Sequence, residues 1–340
     1  MTYSAGSTIL ASDFNSFVGP TASGGTAGAN LNDIWSTGSG DKGWGQTAVA
    51  NPSAPSVVTA ANQWTSLVNN LATAGTQTGT SMTSRTAPTA GNTITILSAL
   101  NTDLTNATTN RGNAVVSGTE FGTFTGTTSK ISATGSGTSA WTITFTHTVT
   151  FPSADQARYF WNAGGIVRLK YGKSSTGTAA DTVWNTLAGQ CGSINLTGRV
   201  NSNSQLISGT TYTGTTRVGG TGGTETTLAQ TTGWYNLTTS PTTIFQLNST
   251  GAYTGEYIRT TATATSTTVL TLVTTWVSDG ASTGSTAAIA GGSATASPST
   301  TITGTAPTTL VTYIPPSTTY LTASWGTPGV NGPTIAASVV

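Results

Sequence analysis

Charge is nearly missing from this chain. Lys and Arg number 11, and Asp and Glu 10, in 340 residues, so 6% of positions are charged and the net charge is +1. Soluble globular chains carry about 25%. A charge so sparse and balanced excludes an extended nucleic-acid surface, which needs clustered cations to displace the counterions of phosphates. The nearest approach to a basic cluster is Arg158, Arg168 and Lys170, read here as structural partners of Asp155 or Asp181. A net charge near zero also removes the repulsion that keeps free monomers apart. Self-association, with much of a hydroxyl-rich surface covered by other subunits, is therefore expected.

Cysteine and histidine are each present once. Cys191 alone excludes an intrachain disulfide framework and a Cys-rich zinc site; it reads as a small core residue following a helix. His147 alone excludes metal sites built on several His or Cys. A Ser-His-Asp triad would have to use it, and no nucleophile-elbow sequence accompanies it. It lies on the apolar face of a strand, where a hydrogen-bonded core histidine is expected.

Long apolar runs are absent too. No stretch reaches about 18 residues, so no transmembrane helix and no membrane insertion are expected. The opening MTYSAGSTIL has neither a basic n-region nor an apolar h-region, and no signal peptide is expected.

Among the acids, Asp13, Asp33, Asp41, Asp103, Asp155 and Asp181 mostly fall at helix starts or in loops, where capping accounts for them. A carboxylate pair for glycoside hydrolysis stays open among ten acids, as does calcium held by scattered Asp and carbonyls, although no EF-hand loop is present. Gly38, Gly40 and Gly43 spell GxGxxG, but no preceding strand, following helix or distal acid supports a dinucleotide site. No catalytic, cofactor-binding or metal-ligating residue is assigned, and no enzyme activity or cofactor is expected.

What is abundant is threonine: 79 residues, close to a quarter of the chain. Thr favours strands, so the bland reading is a β-rich protein. The densest aromatic and basic run is FPSADQARYFWNAGGIVRLKYG, residues 151–172. Ser153 as N-cap with Gln156 three residues on forms a capping-box pattern, and Asp155 suits the first turn. The helix runs through Arg158, Tyr159, Phe160 and Trp161 to Asn162, then Gly164 and Gly165 stop it. Ile166–Tyr171 follow as a strand with Val167, Leu169 and Tyr171 on one face. Three successive aromatics cannot share one helix face, so at least one must reach a second layer or a neighbouring subunit.

The rest of the chain divides at composition shifts. Residues 1–113 read as a helical, Gly-rich assembly region. Its stripes are Leu10, Phe14, Phe17 and Val18; Ala60, Trp64, Leu67, Val68 and Leu71 with Thr59 as N-cap; and Leu97, Leu100, Leu104 and Ala107, ended by Gly112. Trp35 and Trp44 sit in the glycine-rich loop 30–48 and are expected to anchor it against the helices or another chain. Residues 114–280 read as a β-rich domain. It opens on WTITFTHTVTF (141–151), which alternates strictly, and it contains a helix at about 179–187 ended by Gly189. Strands follow at Ser193–Val200, Thr242–Leu247, Tyr257–Thr263 and Thr267–Val277, and GGTGG at 219–223 is a flexible tip. Residues 281–340 combine a low-complexity Ala/Ser/Thr segment (281–309), linker or packed strands, with terminal strands in TLVTYIPP and TYLTASW. The expected fold class is α+β and β-rich: a helical and loop region followed by an antiparallel β-sandwich-like region with short helices.

Three segments carry a resemblance: SADQARYFWNAGGIVRL (153–169), GWGQTA (43–48) and TAANQWTSLVNNL (59–71). Together with STILASDFNSFVG (7–19), their order is similar to structural proteins of tailed bacteriophages, of the marine phage and contractile-tailed cyanophage type. The resemblance covers roughly residues 3–200, with tryptophan at 44 where tyrosine is more usual. It implies a virion structural role and no active site, and leaves tail, baseplate, fibre and head open. On this reading the chain forms homo-oligomers and meets other virion proteins through aromatic and β-sheet surfaces. Trp35, Trp44, Trp64, Arg158, Tyr159, Phe160, Trp161, Gly164 and Gly165 are the candidate assembly residues. The alternatives are a receptor- or glycan-binding fibre module, which would meet a host surface glycan, and a head decoration protein or virion-associated glycan-degrading enzyme.

Overall fold

The computed structural model describes residues 11–19, 30–51, 61–87, 89, 100–114, 127–129, 141–173, 179–198, 205–207, 210–278, 293–295, 307–322, 325, 327 and 329–340. In chain order the described elements begin with helices α1 (Ala11–Val18), α2 (Leu31–Trp35), α3 (Ala61–Thr78) and α4 (Leu100–Asn110). Next come β1 (Thr127–Ser129), β2 (Trp141–Thr150), α5 (Ala154–Asn162), β3 (Ile166–Gly172), α6 (Ala179–Cys191) and β4 (Ser193–Thr197). Short strands β5 (Gln205–Ile207), β6 (Thr210–Tyr212), β7 (Thr215–Val218) and β8 (Glu225–Leu228) lead to β9 (Thr242–Asn248), β10 (Tyr257–Ser266) and β11 (Val269–Ser278). The chain ends with β12 (Ser293–Thr295), β13 (Thr308–Ile314) and β14 (Thr334–Val339). The fold is α+β and β-rich, as the sequence leads one to expect.

Two antiparallel sheets dominate. The larger has six strands in the order β14-β2-β11-β10-β9-β8, and the smaller four, β13-β3-β4-β7. Period-two alternation makes the larger sheet. On β2, Ile143, Phe145, His147 and Val149 point inward, and on β11 Leu270, Leu272, Thr274 and Trp276 do the same. The inner faces are joined by hydroxyl links as well as by apolar packing. Tyr171 Oη lies 2.8 Å from Thr260 Oγ1, which lies 2.8 Å from Thr274 Oγ1. The indole N–H of Trp276 donates to Thr309 Oγ1 at 3.3 Å. Helix α6 packs against β3 of one sheet and β9 and β10 of the other, and its Trp184 meets Trp276 at 5.7 Å.

The outer face of the larger sheet is rich in hydroxyls, interspersed with Val269, Val273, Val277 and Arg259. Thr148 pairs with Thr271, and Thr271 with Thr263; Thr146 pairs with Ser338 on one side and Val273 on the other. Threonine thus serves twice, as a β-branched former of the pleat and as a neutral polar surface.

The terminal strands β13 and β14 do not stand apart from the central region. Strand β13 pairs with β3 and β14 with β2, so the C-terminal segment supplies an edge to each sheet. Within 281–309, β12 pairs antiparallel with β1; the rest of that stretch up to residue 306 lies outside the described residues. So do Leu10, Thr59, Ala60 and Leu97 of the expected helical stripes.

Four expectations need correction. Helix α6 runs through Gly189 to Cys191, and Gly192 with φ +64° ends it. Glycine inside a helix costs only about 1 kcal/mol, whereas the stop requires a positive φ. Cys191 is therefore the last residue of the helix rather than one following it. The segment 319–325 forms no strand in its described residues; Leu321 and Trp325 are buried as plugs against the core instead. Loop 30–48 contains the short helix α2, whose N-cap Asn30 accepts from the Asp33 N–H at 3.0 Å. At the GGTGG tip, Arg217 ties the loop down, donating to the Gly222 carbonyl at 3.1 Å and to Gln190 O.

Candidate functional site

Helix α5 is too short to persist on its own propensity; capping and packing hold it. Ser153 Oγ accepts from the Gln156 N–H at 3.1 Å, and Arg158 pairs with Asp155 at 2.8 Å within the first turns. At the other end, Gly165 N donates to Phe160 O at 2.8 Å and Gly164 N to Trp161 O at 3.3 Å. That is a Schellman motif with Gly164 in the C′ place at φ +109°. A Cβ on Gly165 would overlap the Phe160 ring. The two glycines thereby fix the angle at which α5 turns into β3.

The three consecutive aromatics go three ways. Tyr159 covers Gly45 so closely that a Cβ there would enter the ring. Phe160 packs against Phe151 at 5.3 Å and Tyr313 at 6.0 Å. Trp161 stacks on Trp234 at 5.6 Å with 20° between the ring planes. All three are buried.

The 30–48 loop docks onto the same helix. Asp33, buried, accepts from Lys42 Nζ at 2.5 Å, Ser39 N at 2.8 Å and Ser39 Oγ at 2.7 Å. This ionic latch closes the Gly38–Gly43 turn, which gives the GxGxxG run a structural explanation. Across the contact, Arg158 Nη1 donates to Gly40 O at 2.8 Å, and Asn162 Nδ2 to Asp41 O at 2.6 Å and Gly43 O at 3.0 Å. Gln46 Oε1 accepts from Thr322 N and Oγ1, both at 2.9 Å. From the end of α3, Gln77 Nε2 donates to Ala163 O at 3.3 Å.

The sequence-derived assembly residues are therefore gathered, but inward. Trp35 donates its indole N–H to Thr47 O at 3.0 Å and tilts against Trp44 at 6.4 Å. Trp64 sits apart, edge-on to Phe14 at 5.1 Å. Each of these tryptophans is buried within the chain, so they do not form the aromatic contact surface anticipated for neighbouring subunits. The physical reason is that the helices and the latched loop supply enough apolar surface to cover them. Among the described residues, the large apolar side chains left exposed are Tyr320, Val330 and Val340. Arg158 is paired as expected, and its guanidinium also lies 5.1 Å over the Tyr159 ring. Arg168 donates Nε–H to Asn195 Oδ1 at 2.9 Å.

Reasoning from sequence missed Trp234 and Tyr235. Tyr235 donates its hydroxyl to Asn162 Oδ1 at 2.9 Å. Together with Asp155 and Arg158 they line a groove of about 580 Å3, whose walls include Leu237, Thr238, Ser266 and Thr267. An adjacent Trp-Tyr pair after glycine in a Thr-rich stretch was the available signal. No protein family, curated protein or solved structure matches this chain.

The remaining reactive groups are sealed in. Burial pushes the Cys191 thiol up, with the Arg217 charge opposing it, so the thiol stays protonated. His147 is buried, and that burial lowers its pKa to about 4. Among the described residues, no group of three His, Cys, Asp or Glu side chains could hold a metal ion, and no helix is long and apolar enough to cross a membrane.

Proposed function

We propose that this chain is a structural subunit of a tailed-bacteriophage virion, belonging to the tail, baseplate or a fibre, and that it works as a homo-oligomer without enzymatic activity. The observation that carries the reading is the convergence of the three phage-like segments. Residues 43–48 lie under Tyr159 of the 153–169 segment. The helix that begins in the 59–71 segment reaches Ala163 through Gln77. Segments far apart in sequence are consumed in one buried unit, as suits a scaffold rather than a reaction centre.

Partners on this reading are further copies of the chain and other virion proteins, assembled in the host cytoplasm. The low charge and the hydroxyl-rich sheet face support association without steering. Peptide mass spectrometry of purified particles should find the chain in the virion, and light scattering of the pure protein should give a mass above one chain. A protein that remains monomeric at all micromolar concentrations and is missing from particles would refute the proposal. Hydrolysis of host wall or capsule, lost on a single Asp or Glu substitution, would refute the non-enzymatic part.

A further inference from the structure

We propose that the groove between the first turns of α5 and the 234–239 segment binds a neutral saccharide. This goes beyond the assembly role and does not depend on it. The volume, about 580 Å3, falls within the range of small-molecule sites.

Its floor is aromatic and held from behind: Trp234 is buried, and half-buried Tyr235 is the ring more open to a ligand. Trp234 is stacked on Trp161 and edge-on to Phe151 at 5.9 Å, and Tyr235 is fixed by its hydroxyl on Asn162 and, at 3.3 Å, on Arg158 O. A floor locked from the core loses little entropy when a ligand lands on it. The apolar C–H face of a sugar ring fits such a surface.

The walls decide the ligand's charge. Arg158 is the cation beside the groove, and it is already neutralised by Asp155 and engaged with Gly40 O. No net positive charge remains for a phosphate or carboxylate. Asp155, 63% exposed in its side chain, binds Arg158 through Oδ1, which leaves Oδ2 to accept hydroxyl protons from a ligand. Ser266 and Thr267 also line the groove and are exposed; Ser266 Oγ accepts from Thr268 N at 3.2 Å, and the Thr267 hydroxyl can donate or accept. An aromatic floor, one carboxylate held in place by arginine, and a hydroxyl rim match a neutral polyol ring.

The test uses the full chain with a panel of glucose, galactose, N-acetylglucosamine, maltose and lactose. It reads saturation-transfer difference NMR and tryptophan fluorescence. At least one sugar is expected to bind in the millimolar range. Asp155→Asn and Thr267→Arg, both at exposed positions, should each weaken it by about tenfold or more; Thr267→Arg should leave the melting temperature unchanged, and because Asp155→Asn also loosens the Arg158 pair, its melting temperature is read alongside. Inorganic phosphate should not compete. No binding by any sugar of the panel, binding that survives both substitutions, or displacement by phosphate overturns the proposal. None of those results touches the assembly reading, which is judged on particles and on mass.

Discussion

Lowering the pH should destabilise this protein through one identifiable side chain. His147 is inaccessible to solvent on the inner face of β2, opposite Leu272 and Ala337 on the neighbouring strands. Desolvation lowers its pKa from 6.5 to about 4, and the hydrogen-bonding contact with the Thr309 backbone, which acts to raise it, is outweighed. The folded state therefore resists the proton that the unfolded chain accepts. Stability is fully present above pH 6.5, declines as pH falls from there towards 4, and levels off below. At 1.36 kcal/mol per pKa unit the total loss is about 3 kcal/mol, a large part of the stability of an ordinary domain. Other groups of the chain also exchange protons over this interval, so wild type must be compared with a variant that lacks the imidazole. Urea unfolding of both proteins at pH 7.5 and pH 4.5 should show wild type losing about 2–3 kcal/mol more than His147→Gln over that interval. The imidazole is the only one in the chain, so its NMR signal can be followed without assignment. An imidazole midpoint near 6.5, or equal acid losses in the two proteins, would refute the reasoning.

Three further outcomes are expected. Trp161→Ala removes a fully buried ring stacked on Trp234 and should cost about 3–5 kcal/mol in urea unfolding; a loss below about 1 kcal/mol would mean the stack is not holding the core. Gly164→Val forces a β-branched residue to φ +109°, at about 1–3 kcal/mol, and thermal unfolding should register it, whereas Gly189→Ala, inside α6 with open space around it and no positive φ, should not lower the melting temperature. Arg85 and Asp103 form a pair whose side chains are 6% and 5% exposed; Arg85→Met should cost about 3–5 kcal/mol by stranding the carboxylate, and the double variant Arg85→Met/Asp103→Leu should recover most of it in the same denaturation assay.

The long elements were legible because their periods are strong. Strand β2 alternates over its whole length, and the stripe Trp64, Leu67, Val68, Leu71 of α3 is helical without ambiguity. The α5 corner could be read residue by residue, since Ser153 caps and Gly164 stops by local chemistry. What local chemistry does not encode is where a short apolar segment will be needed. The TYLTASW run has strand-like composition, yet Leu321 and Trp325 are spent plugging the core. Helix α2 is too short to show a period, and the Asp33 latch that orders its loop depends on Lys42 arriving by a tight turn. The groove was invisible for the same reason. Trp234 acquires its place only by stacking on Trp161, a residue far away in the sequence, and the pocket walls come from α5 and the β10–β11 turn. The direction of the aromatics was the least legible feature: composition signals many large rings, and only the three-dimensional packing says that most of the described ones are buried within the chain.

The threonine rows on the outer face of the larger sheet have a consequence for how this molecule responds to its medium. A surface held in solution by ionised groups changes character with dissolved salt, because counter-ions screen it over a Debye length of about 8 Å at physiological ionic strength. Rows such as Thr148, Thr271 and Thr263 offer ions nothing to screen. Contacts made across such a face would rest on hydroxyl hydrogen bonds and close packing, and would keep their strength from dilute medium to brine.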